Sequence, residues 1–191
     1  MSGKISINSV VLRAIRTSRS NGGFTLVEIL VVVVILGLAS AMIIPQIGSR
    51  DDLKVAAAAR MVIADISYAQ NRAIATQSMQ YVTFDVAATP QTYALYKSTT
   101  AGDYVTDPVN KGSFIRTLGT GGTPGLTDIV IDAGAVSIDG QTKLAFDSLG
   151  QPYSVTGNAA TVMVAGTIRL TAGSQSLTIT IEPYTGEMSV Q

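Results

Sequence analysis

Twenty-one consecutive positions, from Phe24 to Ile44, hold no Lys, Arg, Asp, Asn or Gln and a single glutamate, Glu28. At 1.5 Å of rise per residue, a helix of that length spans roughly 31 Å, about one hydrocarbon core. A segment apolar on every side cannot serve as a half-buried surface helix; it needs lipid, or other helices like itself, around it. A carboxylate within such a run costs about 2.5–3.5 kcal/mol on insertion scales unless it finds a partner. Glu28 therefore calls for a purpose. Because it lies near the start of the run, there is also a plain account, in which the side chain snorkels to the interface or stays protonated.

Charge fixes the direction of this segment. Lys4, Arg13, Arg16 and Arg19 precede it with no acid, whereas Arg50, Asp51, Asp52 and Lys54 after it cancel. The positive-inside rule puts the N-terminus in the cytoplasm and the bulk of the chain across the membrane. Three readings compete. In the first, a cleaved secretory signal, Ala39-Ser40-Ala41 is the cleavage site. Against it, the apolar run continues through Met42, Ile43 and Ile44, and Glu28 interrupts the apolar region. The second, an uncleaved signal anchor, leaves Glu28 without a role.

The third reading rests on the junction itself. Gly23-Phe24-Thr25-Leu26-Val27-Glu28 resembles the processing site of type IV prepilins and type II secretion pseudopilins. The resemblance implies that a basic leader, residues 1–23, is cut after Gly23 by a prepilin peptidase and that Phe24 becomes an N-methylated first residue. Gly37 and Pro45 match positions where pilin helices carry a helix-loosening glycine and a proline. Cleavage would create an amine four residues from Glu28, on the same helical face. A neighbouring subunit, shifted along a filament axis, could offer its own amine to this glutamate. Such pairing would remove an unpaired charge and set axial register.

Composition narrows the chemistry. The 191-residue chain has neither Cys nor His, which excludes disulfides, Ser–His–Asp and Cys–His catalysis, and the dominant zinc ligands. Low charge with 18 Gly and 47% apolar residues suits a β-rich extracytoplasmic protein. We expect no enzyme, no cofactor and no metal. The length allows one well-packed domain plus an appendage.

After Pro45, Val55, Ala59, Val62, Ile66, Ala69 and Ala73 recur at spacings of three and four, one helical stripe. We expect one long helix from about 24 to about 78, loosened near Pro45 and Gly48: residues 24–45 as the membrane-spanning and filament-core half, residues 46–80 as the amphipathic half. The pattern then changes to period 2, and residues 81–191 read as a β-rich periplasmic domain. "YVTFDVA" and "TYALYK" form a hairpin, with Val82, Phe84 and Val86 on one face. "SFIRTL", "TDIVIDAGAVSI" and "KLAFD" are further strands. Ile168 and Leu170 face Leu177, Ile179 and Ile181 around Gly173-Ser174, and Gly186 turns the chain into a last short strand. Gly102–Asp107 and Leu118–Gly125 are loops, the second the most flexible. The fold class is α+β and pilin-like, a long N-terminal helix packed on an antiparallel sheet domain.

Ala59-Arg60, Ala69-Gln70, "FDSLGQP" at Phe146–Pro152 and the terminal "I-x-P-x-T-G" at Ile181–Gly186 resemble the H-type (GspH/FimT-like) minor pseudopilins, a layout shared with minor pilins of mannose-sensitive haemagglutinin-type pili. The resemblance implies a structural subunit of a secretion pseudopilus or a type IV-type pilus in the bacterial inner membrane. Its partners would be other pilin subunits, the prepilin peptidase, the inner-membrane assembly platform and the lipid bilayer. The alternative function is a membrane-anchored or secreted β-domain that binds a ligand without polymerising. Asp128, Asp132 and Asp139 invite a calcium reading, but their spacing matches no calcium loop, and solvated turn aspartates are the simpler account. From Leu118 onward only Lys143 and Arg169 stand against six acids, a balance that repels nucleic acid. "GTGGTPG" lacks the lysine a phosphate-cradling loop needs.

Overall fold

The computed structural model describes residues 23–43, 50–132 and 134–191 and resolves the chain into two compact units, Met1–Gly48 and Ser49–Gln191. In the first unit, α1 runs over Leu26–Ile43. In the second, α2 covers Asp51–Thr76. The single helix expected from 24 to 78 is thus seen as two helical segments. The junction, with Pro45 and Gly48, lies outside the described residues, as does nearly all of the leader.

Every residue of the expected stripe on α2 is buried, and Ala58 joins them. Alanines at four of these seven positions let the helix approach its sheets closely. Asp51 and Asp52 sit in the first turn, where the helix dipole favours negative charge. The helix ends at Gln77, which takes a left-handed conformation at φ 50°. Ser78 N–H closes on the Ala73 carbonyl at 3.2 Å, a Schellman turn usually built on glycine. Here the Gln77 side-chain amide adds a bond to the Ile74 carbonyl at 2.7 Å.

Among the described residues ten strands follow, all paired antiparallel: β1 (Gln80–Asp85), β2 (Thr92–Tyr96), β3 (Ile115–Thr117), β4 (Val136–Ile138), β5 (Lys143–Phe146), β6 (Pro152–Thr156), β7 (Ala159–Val162), β8 (Gly166–Ala172), β9 (Gln175–Ile181) and β10 (Met188–Val190). They form a six-stranded sheet, β3-β2-β1-β5-β6-β7, and a four-stranded sheet, β10-β9-β8-β4. The chain is therefore α+β, with α2 packed against β1 and β5 of one sheet and β8 and β9 of the other. Val82, Phe84, Tyr93, Leu95, Leu144 and Phe146 from the first sheet share one core with Ile168, Leu170, Ile179 and Ile181 from the second.

Both expected hairpins form, β8–β9 in the expected register. Val82 lies opposite Leu95, while Ile168 opposes Ile179 and Leu170 opposes Leu177. Two expectations need correction. "TDIVIDAGAVSI" yields a strand only at Val136–Ile138. Upstream, Val130 makes one isolated bridge to Thr171 of β8, and the Ile131 N–H and C=O are both taken by the Gln91 side-chain amide, at 2.9 and 2.7 Å. Leu118–Gly125 is a loop, but not a loose one. Gly119 N–H bonds Leu126 C=O and Thr123 N–H bonds Thr117 C=O, and Leu118 and Leu126 are buried at its two ends.

A buried charge cluster ties the edge of the first sheet to α2. Arg116 donates from Nε to Asp65 at 3.1 Å and from Nη1 to Asp107 at 2.6 Å. Its guanidinium lies 4.2 Å over the Phe114 ring, which stacks on Tyr68 of α2. Tyr93 completes the cluster by donating to Asp65 at 2.7 Å. Burial, then the Asp65 charge, pushes the Tyr93 hydroxyl well above its usual range, so it remains a donor. Burial alone would raise the Asp107 carboxyl. The Arg116 hydrogen bond, the Val109 and Asn110 amides and the Arg116 charge outweigh it and hold the group below the ordinary carboxylate value.

Candidate functional site

The residues singled out at the N-terminus occupy a compact stretch of local structure. Gly23 and Phe24 lie in non-helical backbone and are exposed, the kind of segment a peptidase can engage. The helix begins just after them because Thr25 caps it. The Thr25 hydroxyl accepts the Glu28 backbone N–H at 3.2 Å, and its carbonyl accepts the Ile29 N–H at 3.2 Å. Thr25-x-x-Glu28 is the spacing of a capping box, legible in the sequence but not used in reading it. The cap puts Glu28 in the first turn, where the positive end of the helix dipole favours a carboxylate.

Phe24, Leu26, Val27 and each large apolar side chain from Ile29 to Leu38 are exposed, Phe24 by 76% and Leu38 by 69%. Apolar surface on all sides of a helix is far more than a soluble monomer leaves uncovered. The 18 residues of α1 reach about 27 Å at 1.5 Å each. Among the described residues no helix is long and apolar enough to cross a membrane. Gly37 is helical with nothing within 4 Å of where a Cβ would stand, so no close approach within the chain requires glycine there. Pro45 lies outside the described residues.

In the globular unit, three separate sequence motifs meet at one side chain. Gln70 of α2 donates from Nε2 to Gly150 C=O at 2.9 Å and to Thr185 C=O at 2.8 Å. One partner belongs to "FDSLGQP" and the other to the terminal "I-x-P-x-T-G". Both turns need glycine: Gly150 has φ +85°, and Gly186 has φ +68° with a would-be Cβ 2.7 Å from Gln70 Nε2 and 3.0 Å from Phe146. The motifs are therefore the fastening of α2 to the sheet edges, not a reaction centre. Gly186→Ala should cost about 2 kcal/mol, from the left-handed backbone and a displaced hydrogen bond. Denaturant unfolding would register this as a lower midpoint at unchanged slope, and an unchanged midpoint would remove the fastening role.

The acidic residues weighed for calcium are kept apart by separate partners. Asp128 holds Lys54 at 2.9 Å. Asp132 accepts from the Thr171 hydroxyl at 3.2 Å and stands 3.8 Å from Arg169. Asp139 accepts the Val164 and Ala165 amides. Among the described residues, no group of three or more His, Cys, Asp or Glu side chains is placed to hold a metal ion.

Comparison with known proteins bears on the N-terminal segment alone. Residues 18–44 match the family model for the prokaryotic N-terminal methylation motif. Over 34 residues the chain is 59% identical to the type II secretion system core protein G of Pseudomonas aeruginosa, covering 18% of this chain and 24% of that protein. The match thus spans about a quarter of the relative's length. No solved structure matches the chain. The exposed Gly23–Phe24 junction, the capped helix start at Glu28 and most of the apolar helix that follows lie within the residues that match the methylation-motif model.

Proposed function

We propose that the chain is a minor pilin or pseudopilin, a structural subunit of a type II secretion pseudopilus or a type IV-type pilus and not an enzyme. A prepilin peptidase cuts between Gly23 and Phe24, and Phe24 is then N-methylated. The helix from Phe24 to Pro45 holds the subunit in the inner membrane, N-terminus cytoplasmic and globular unit periplasmic, until the assembly platform moves it into a filament. There the apolar helices bundle with those of other subunits and the β-rich unit faces outward. Glu28 pairs with a neighbour's methylated amine, and Gly37 and Pro45 loosen the helix. One observation carries this reading: the methylation-motif junction opens a helix whose large apolar side chains, from Leu26 to Leu38, are exposed.

The alternative, an anchored or secreted β-domain that binds a ligand without polymerising, predicts a different N-terminus. Mass spectrometry of the membrane-extracted protein should find the mature chain beginning at methylated Phe24. A chain beginning at Met42, after Ala39-Ser40-Ala41, would overturn the pilin reading. An intact N-terminus would favour a plain anchor.

A further inference from the structure

The face of the six-stranded sheet turned away from α2 carries a small cavity that filament assembly through α1 leaves unused. Tyr81 lies opposite Tyr96, and Thr83 lies opposite Lys143. Strand alternation points these four away from the buried Val82, Phe84, Leu95 and Leu144. Ser98, Thr99 and Ala101, from the turn after β2, join Val155 of β6 to complete a cavity of ≈ 130 Å³.

Its one charged lining residue is Lys143. Like Arg50, Arg60, Arg72 and Lys111, and unlike Lys54, Lys97, Arg116 and Arg169, it has no carboxylate within ion-pair distance among the described residues. No carboxylate lines the cavity itself; Asp85 acts on Tyr96 from beyond the lining. An ammonium placed among hydroxyl groups and tyrosine rings is a ready counter-charge for an anion from outside.

Size and lining narrow that anion. Small-molecule sites run to about 300–1,000 Å³, whereas ≈ 130 Å³ is well below that range and suits a single side chain. Tyrosines surrounded by Ser and Thr also make up the protein-binding surfaces of antibodies, where rigid rings give contact area and hydroxyls adapt their hydrogen bonds.

We propose that this cavity receives one Asp or Glu side chain of a partner protein, with Lys143 as its counter-charge and the Thr83, Ser98 and Thr99 hydroxyls as donors. The outer sheet face is then a protein-docking surface anchored by a single ion pair. This goes beyond the filament reading and does not depend on it.

The test uses the full-length chain in detergent micelles, with Ala, Thr and Val methyl groups isotope-labelled for NMR. The probes are two capped tripeptides, acetyl-Gly-Glu-Gly-amide and acetyl-Gly-Gln-Gly-amide. The Glu peptide should shift the Thr83, Thr99, Ala101 and Val155 methyl signals, and the Gln peptide should not. Lys143→Gln should weaken the effect about tenfold or more, Lys143→Arg should retain it, and methyl signals elsewhere should stay in place in both variants. Equal shifts with both peptides, no shift with either, or a Lys143→Gln variant that binds as before would each overturn the proposal. So would galacturonate shifting these signals at lower concentration than the Glu peptide, which would assign the cavity to acidic sugars instead.

Discussion

Arg116→Ala is expected to destabilise the globular unit by about 3–5 kcal/mol, the range for breaking a buried ion pair from one side. The side chain holds two aspartates at once, Asp65 on α2 and Asp107 in the turn before β3. Asp107 is 1% exposed, so removing the guanidinium leaves a buried carboxylate with its backbone amide donors but no counter-ion. The ring stacking over Phe114 is lost as well. For an edge element of three residues, β3, this cluster is the main tie to the helix.

The pH dependence gives the prediction a second readout. In the native unit the Asp107 carboxyl is held below its ordinary value of 3.8. The unfolded chain then binds the proton more readily than the folded one, so the contribution of Asp107 to stability is complete above that value. It is lost as pH falls through the lower, folded value. Without Arg116, its hydrogen bond and charge no longer lower the carboxyl, whose value rises, so less of the stability is lost in acid. The stability gap between the native unit and the variant should be widest above the carboxylate range and narrow as pH falls. Denaturant melts at several pH values would show two curves converging toward low pH. Parallel curves would mean that Asp107 is not the group left unpaired.

What could be read in advance depended on how local its cause is. The buried stripe of α2 and the β8–β9 register follow from spacings of three, four and two residues, which need no knowledge of the partner. The motif Gly23–Glu28 stands in the sequence as six adjacent letters, inside the residues that match the methylation-motif model. The β6–β7 hairpin was missed although Gly157-Asn158 between Thr156 and Ala159 is a two-residue turn signal. Pro152 at the start of β6 disguised the strand as the end of a loop, and proline is tolerated at that first position. The Arg116 cluster was not readable by any pattern. Asp65, Asp107 and Arg116 are brought together only by the topology, and Asp107 reads in sequence as the end of an exposed loop. The Gln70 fastening lies between these cases: its three motifs stood out as resemblances, but their common bond spans separations of 80 and 115 residues.

Glu28→Ala should move two measurements in opposite directions. Membrane insertion should be unchanged or improved, because the substitution removes a group costing about 2.5–3.5 kcal/mol in an apolar span. Incorporation into filaments should fall by at least about tenfold. The neighbour's amine would be left in an apolar bundle without its counter-charge, and breaking such a pair from one side costs about 3–5 kcal/mol. Glu28→Gln separates this account from the plain one. Glutamine keeps the shape and the capping-box geometry at Thr25 but cannot carry the charge. If the carboxylate only snorkels or sits protonated near the interface, Glu28→Gln subunits enter filaments as the native ones do. If it pairs with a methylated amine, Glu28→Gln fails nearly as badly as Glu28→Ala while inserting normally. Within the helix, a glutamate at that depth gains from the capping-box position and from the dipole, the latter worth about 0.3–1 kcal/mol at an exposed end, and glutamine fills the first of these equally well. The remainder of the insertion cost has to be offset from outside the chain, and an amine made only by cleavage would restrict that stabilisation to processed subunits.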